Sequence, residues 1–193
     1  MPITINGNGS VTGVSVGGLP DGIVDTDMIA ANAVTAAKRG AGAILQVVNA
    51  VYSSAASFTT SGSTFQDTGL TASITSSNNN KILVTYQLEC GAETSYRHAC
   101  RLVRGSTDIL LANSDGDRIR ATNSNGNPPN NVRMSSFSQT YLDSPGTTSS
   151  TTYKLMGWAE SGGDFFINRS EVNSDSASHA RGVSTMTLME VAA

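Results

Sequence analysis

The sequence predicts an all-β protein: a C-terminal antiparallel β-sandwich or jelly-roll head, preceded by a short extended N-terminal segment and a stalk. Three observations lead there. Beyond residue 42, apolar and polar side chains mostly alternate with a period of two, as half-buried strands require. Ser, Thr, Asn and Gly clusters interrupt this pattern at fairly regular spacing, leaving about eight to ten short strands. Charged residues are only 14% of the 193-residue chain, a balance that suits short strands and turns rather than exposed helices. The boundaries read as 1–16 for the extended segment, 17–42 for the stalk and 43–193 for the head.

Residues 3–16 alternate at Ile3 and Ile5 and again at Val14 and Val16, with Asn6, Gly7, Asn8 and Gly9 as a turn signal between them. They read as a hairpin or as two extended arms. An isolated two-stranded hairpin is marginal in water, so docking onto a partner by strand addition is the favoured reading. Gly7 and Gly9 do not open a dinucleotide fingerprint, because Thr12 stands where the third glycine belongs and no βαβ unit follows.

Residues 17–38 carry two copies of a decapeptide. Gly22 to Thr26 with Met28 to Ala30 form the first; Asn32 to Ala36 with Lys38 form a degenerate second. Each copy holds few apolar side chains. Ordering costs about 1–2 kcal/mol per residue, and a buried aliphatic side chain returns about 1.5–3 kcal/mol. A face that cannot bury itself needs neighbours, and the simplest are the same stretch in other copies of the chain. The same residues also read as one Ala-rich helix over 26–38, capped at Asp25 or Thr26, stopped at Gly40 and packed on the head. Arg39, Gly40, Ala41 and Gly42 make the flexible joint.

In the head, strands are expected at 44–52, 65–75, 81–89, 96–104, 109–111, 132–142, 151–160, 165–167 and 185–191. The clearest is 81–89, where Ile82, Val84, Tyr86 and Leu88 oppose Lys81, Thr85, Gln87 and Glu89, with Leu83 the one apolar exception. Leu70, Ala72 and Ile74 share a face. Arg97, Arg101 and Arg104 lie on 96–104 beside Leu102 and Val103, so that strand is expected to be covered on both sides. Residues 53–64, 113–131 and 173–182 read as loops, with turns at 76–80 and near Gly91, Ala92 and Glu93. The low aromatic content, 6%, points to a thin core that uses partner chains.

Composition narrows the function. The formal charge is −3, with no basic block, which argues against a nucleic-acid partner. No apolar run reaches the roughly 18–20 residues that span a bilayer, so no membrane insertion is expected. Met1 to Thr4 lack the basic and apolar regions of a signal peptide, which points to synthesis and assembly in a cytoplasm. Cys90 and Cys100 read as buried thiols rather than a disulfide framework.

The chemistry of catalysis is sparse. His98 and His179 have no ligand spacing, and no zinc, Cys-x-x-Cys or Gly-x-Ser-x-Gly motif is present. Asp115 and Asp117 flank a glycine as in part of a calcium loop, but the remaining ligands are missing. Asn168 to Ser170 spell a glycosylation sequon that means nothing without secretion. Asp143, Glu160, Asp164 and Glu171 are the carboxylates that a glycosidase would have to pair, yet their separation is unreadable from sequence. No catalytic residue, cofactor or metal is expected, and no enzyme. Tyr141, Trp158, Phe165 and Phe166 crowd one part of the chain; they read first as core and second as a shallow saccharide site. Loops 113–131 and 173–182 are the better places for a ligand.

Several stretches resemble fibre proteins of tailed bacteriophages, particularly of marine and cyanobacterial phages. At the N-terminus these are Ile3 to Gly9, Gly17 to Gly22 and Asp27 to Lys38. In the head they are Asn80 to Val84, Arg101 to Ser106, Tyr141 to Thr148 and Thr185 to Val191. The second decapeptide departs from the usual pattern by ending Ala36-Ala-Lys-Arg-Gly40, which makes the stalk short. The resemblance implies a virion structural protein: a homotrimeric tail fibre assembled in the host cytoplasm, whose head contacts the host surface, with a surface polysaccharide as receptor. It also implies that Val24, Met28, Ile29 and Val34 face the three-fold axis. Ile3, Ile5, Val14 and Val16 would then anchor residues 1–16 to tail, baseplate or capsid proteins. The alternative is a capsid-surface fibre or baseplate adaptor without receptor binding. The receptor-binding residues are not readable from the sequence.

The closing strand is expected to pair inside a sheet rather than at its edge. Deleting the last eight residues therefore abolishes folding, to be measured by solubility and far-UV circular dichroism; a soluble, folded truncation would contradict the expectation.

Overall fold

The interior of the head is set by two antiparallel sheets whose strands each turn one row of apolar side chains inward. The protein was analysed as a computed structural model that describes residues 4–5, 11–12, 29, 33–34, 38–126, 130–160 and 162–193. No α-helix occurs among the described residues. The chain falls into two compact units, Met1–Gly40 and Ala41–Ala193.

In the first unit, β1 (Thr4–Ile5) and β2 (Val11–Thr12) pair antiparallel, with Ile5 opposite Val11. This is the hairpin alternative for residues 3–16. Ile3, Val14 and Val16 lie outside the described residues, as does most of the segment read either as a stalk or as a helix.

Among the described residues the second unit holds eleven strands: β3 (Ile44–Tyr52), β4 (Ala56–Thr59), β5 (Gln66–Thr75), β6 (Lys81–Ala92), β7 (His98–Arg104), β8 (Thr107–Ile109), β9 (Asn123–Asn125), β10 (Ser135–Asp143), β11 (Ser150–Ala159), β12 (Asp164–Ile167) and β13 (Ser184–Val191). The first sheet has six strands in four lanes. β10 and β13 flank β6, and β12 continues the β13 lane along the far end of β6. β3 and β4 form the fourth lane, pairing with β13 and β12. The second sheet orders β5, β11 and β7, and a last lane is shared by β8 and β9. Numbered along the chain, the eight lanes pair first with last, second with seventh, third with sixth and fourth with fifth. That is one long antiparallel ribbon, rolled so that its halves face each other.

Alternation explains the core. Leu70, Ala72 and Ile74 of β5, Ile82, Val84, Tyr86 and Leu88 of β6, and Met186 and Leu188 of β13 are all buried. They meet Leu102, Tyr153, Leu155 and Phe165 in a single cluster. Gly157 is a glycine because the Phe165 ring lies across it: a Cβ there would stand 2.8 Å from Cε1. Asp143, buried, ties the sheets at one end. It accepts two 2.9 Å hydrogen bonds from Arg104 Nη1 and one of 2.7 Å from the Tyr153 hydroxyl. Burial, then the bond to Asp143, pushes the Tyr153 phenol up. Cys90 and Cys100 are free buried thiols, and burial pushes Cys100 up to about 12.

The join between β12 and β13 is made by Asn168. It is fully buried at φ +56°, a left-handed conformation that asparagine tolerates better than most residues. Its Nδ2 donates to the carbonyls of Tyr52 (2.7 Å) and Ser54 (3.0 Å), and its Oδ1 accepts from Ser184 Oγ at 2.7 Å. Ser184 Oγ in turn accepts the Glu89 N–H at 2.9 Å. The Asn168 N–H donates to the Glu89 carbonyl, and its own carbonyl accepts from the Gly182 N–H. Three lanes are stitched where two of them are interrupted.

The turn at 76–80 is held from β13. Glu190 Oε1 accepts hydrogen bonds from Ser76 Oγ, the Ser77 N–H, Ser77 Oγ and Asn80 Nδ2, at 2.7–3.1 Å. Burial raises this carboxyl, but the hydrogen bonds outweigh it and hold it below the usual range. β13 runs between β3 and β6, inside the sheet as expected.

Four expectations are corrected. The strand foreseen at 109–111 ends at Ile109, because its pairing with β7 runs over Thr107–Ile109. Residues 53–64 are not all loop, since β4 forms there by pairing with β12. β6 runs through the turn foreseen near Gly91 and Ala92, because β12 supplies its neighbour there. The loop 113–131 contains β9, held on β7 by its backbone.

Replacing Asn168 by alanine strands two carbonyls and the Ser184 hydroxyl and leaves a β-carbon in the left-handed region. We expect Asn168→Ala to lose at least about 3 kcal/mol in urea unfolding, and Ser184→Ala about 1–3 kcal/mol. A loss below about 1 kcal/mol for Asn168→Ala would remove the joining role assigned to this side chain.

Candidate functional site

The outer face of the second sheet is not flat. Chain between β8 and β9 lies across it and is pinned by Arg101 of β7. The guanidinium donates through Nε to the Arg120 carbonyl at 2.8 Å and through Nη1 to Asp108 at 2.9 Å, and it lies 3.9 Å over the Phe65 ring. Thr122 reaches back to β7: its N–H donates to the Cys100 carbonyl, and its Oγ1 accepts from the Leu102 N–H, each at 2.9 Å. Arg120 Nε closes the loop on the Ala112 carbonyl at 2.8 Å. Beneath, Phe65, Ala99 and Trp158 form a second small core with Ile119, Ala121 and Met156 against it. β7 is therefore covered on both sides, as its mixed faces implied.

Where this covering stops short, a groove of about 870 Å³ opens. Trp158 and Ala99 stand opposite each other in register on β11 and β7 and line it. The space exists because alanine, not a larger residue, faces the indole. Trp158 Nε1 is fixed by donating to the Gly62 carbonyl at 2.8 Å. Asp117, Arg118 and Ile119 of the covering loop and Ser124 and Asn125 of β9 also line the groove, and an ion pair borders it, Arg97 to Glu160 at 3.2 Å. Arg118 pairs with Asp115 in the same loop. Both pairs are solvent-exposed, so each contributes little to stability and is free to exchange partners. Trp158 is only 8% exposed. The exposed walls of the groove are therefore polar, with an apolar strip beneath them.

His98 adjoins the groove and faces a different problem. It is 1% exposed, its ring lies 5.3 Å from that of Phe137, and neither ring nitrogen has a hydrogen-bond partner among the described residues. Burial lowers it to about 4, so it is held neutral. His179 lies in the 173–182 loop, its Nδ1 2.8 Å from Ser174 Oγ.

The four carboxylates named from the sequence are engaged separately. Asp143 holds Arg104 and Tyr153; Glu160 holds Arg97; Asp164 accepts from Thr59 Oγ1; Glu171 accepts from the Thr94 N–H and Oγ1. No group of three metal-ligating side chains occurs among the described residues. Phe165 and Phe166 are core, Tyr141 packs against the core, and Trp158 belongs both to a core and to the groove. Of the residues expected on a three-fold axis, Val24 and Met28 lie outside the described residues; Ile29 and Val34 are 45% and 50% exposed. Of those expected to anchor the N-terminus, Ile5 alone is described, in β1. Loop 113–131 supplies much of the groove wall; Glu160 is readable from the sequence only as one of four candidate carboxylates, and Arg97 and Ala99 carry no ligand signal there, since only the pairing of β7 with β11 brings the three together. No family model matches the chain, and no curated protein sequence matches it.

The His98 sign is fixed by its lowered value. The unfolded chain takes up the proton first, so stability is complete above about pH 6.5, falls as pH drops, and levels off near pH 4. The loss amounts to about 3 kcal/mol. Urea midpoints of wild type and His98→Leu, measured between pH 7 and 5, are expected to show the wild-type slope and a flatter one; equal slopes would contradict the burial of a neutral imidazole.

Proposed function

We propose that the protein is a virion fibre of a tailed bacteriophage, a homotrimer whose head is a jelly roll that binds a saccharide of the host surface. The groove carries this reading. It combines an apolar strip at Trp158, Ala99 and Ile119 with carboxylate, guanidinium, hydroxyl and carboxamide groups, the mixture that recognises the hydroxyl pairs and apolar faces of a sugar. Arginine and carboxylate side chains engage such hydroxyl pairs in bidentate fashion. The rolled-ribbon pairing of the eight lanes supports the jelly-roll assignment. The four separately engaged carboxylates support binding rather than bond cleavage.

A second reading, a capsid-surface fibre or baseplate adaptor, is favoured by the hairpin β1–β2. A two-stranded hairpin is marginal alone and gains from adding its edge to another protein's sheet. In both readings the N-terminal segment meets tail, baseplate or capsid proteins.

The test is binding of the purified full chain to an array of bacterial surface polysaccharides and to intact cells. We expect at least one polysaccharide to bind. Arg118→Ala and Asn125→Ala, both at exposed positions, are expected to weaken that binding by tenfold or more without changing thermal stability. Copurification with a capsid or baseplate protein, with no polysaccharide or cell binding, would replace the first reading by the second.

A further inference from the structure

The two sheets differ in what covers their outer faces. The second is roofed by its own chain, from Ile109 to Thr122. The first is covered by its own chain only at its β12 end, where Arg133, Arg169 and Ser170 close over Gly91 and the Arg169 guanidinium lies over Phe166; beyond that end its register builds an apolar row across all four lanes. Val47 stands opposite Met189, Met189 opposite Leu83, and Leu83 opposite Leu142. Val47 is 56% exposed and Leu142 44%. The three intervals between adjacent strands make the row about 14 Å long. The neighbouring row is Asn49, Thr187, Thr85 and Thr140, in which Asn49 Nδ2 donates to Thr187 Oγ1 at 2.8 Å and the hydroxyls of Thr85 and Thr140 lie 3.3 Å apart. Within these two rows no side chain is charged.

We propose that this face is covered by other copies of the same chain, with the row of Val47, Met189, Leu83 and Leu142 at the contact. The proposal rests on the homotrimer reading and assigns a surface to it. Two features select the occupant. The row itself offers no charge with which to choose a partner of different composition. Of its two flanking rows one is Asn and Thr and the other, Ile44, Val191 and Lys81, carries a single charge at its end. So largely apolar and threonine-rich a face suits another surface like itself. The row also begins on β3, which follows the Gly40–Gly42 joint within a few residues. Copies gathered through residues 24–34, where Ile29 and Val34 are exposed, hold their β3 strands together at an effective concentration of order millimolar. At that concentration a contact too weak to form between free heads closes. Leu83, the apolar exception on the outward side of β6, then has a role that its own sheet does not give it.

The experiment uses single cysteines in the full chain, since Cys90 and Cys100 are buried. Val47→Cys and Leu142→Cys report on the row, and Thr107→Cys, exposed on β8 of the other sheet, is the control. Maleimide labelling is timed at a concentration where sedimentation equilibrium gives the mass, against 20.0 kDa for one chain. We expect a three-chain mass and labelling of both row positions at least tenfold slower than at Thr107→Cys. A three-chain mass with row and control labelling equally fast overturns the face assignment and leaves the homotrimer standing. A one-chain mass overturns both. The two row positions act as independent reporters, so poor folding of one variant leaves the other to decide.

Discussion

One buried side chain decides whether the first sheet is continuous. Two of its four lanes are spliced from separate strands, β12 with β13 and β3 with β4, and both splices fall at the same level of the sheet. A break there exposes backbone groups inside the protein, where a lost hydrogen bond costs more than at the surface. Asn168 fills that place with a left-handed backbone whose N–H bonds β6 at the Glu89 carbonyl, and with a carboxamide that bonds the β3–β4 lane and Ser184 of its own lane. The loop 169–183 can therefore leave the sheet and return to it without opening the core. Glu190 does comparable work at the other end of β13, where one carboxylate oxygen organises a five-residue turn. The sheet depends on polar groups spent inside it as well as on its apolar face.

The outer faces divide two kinds of work. On the second sheet, the Arg101 guanidinium holds a loop against Phe65 and Trp158, and the remaining gap becomes the groove. On the first, the chain covers only the β12 end, and from Val47 to Leu142 side chains stand in straight, partly exposed rows. Recognition of a small ligand needs concavity with mixed polarity; contact with a second large surface needs breadth and flatness. The fold supplies one of these on each side.

Much of this could be read from the sequence, and the part that could not has a physical cause. β5, β6 and β13 were legible because each buries one face, so their apolar residues recur at every second position, with Leu83 and Met189 among the outward exceptions. β4 was not, since Ala-Ser-Phe-Thr inside a Ser- and Thr-rich stretch has little pattern of its own and becomes a strand only against β12. β9 is Asn-Ser-Asn, without an apolar side chain, and joins the sheet through its backbone and through Asn123 Oδ1, which accepts from Cys100 Sγ and the Tyr86 hydroxyl. The long loop 113–131 drew attention as a ligand site by its length, and the groove does lie on it. The opposite wall could not be foreseen, because Ala99 faces Trp158 only after β7 and β11 have found their register. Asn168 carried no signal beyond a glycosylation sequon, whereas its value lies in carbonyls more than a hundred residues away.

The rolled ribbon also fixes an order of events during synthesis. β3, the first strand of the head, has no strand to pair with until β13, the last, has been made. A ribosome adds about 5–20 residues per second, so the head stays open for on the order of 10 s after β3 emerges. Through that interval the first forty residues are already outside and can meet a partner. In the homotrimer proposed above, contacts between nascent chains on one message would be made before any head has closed, and each head would complete itself in the company of the others.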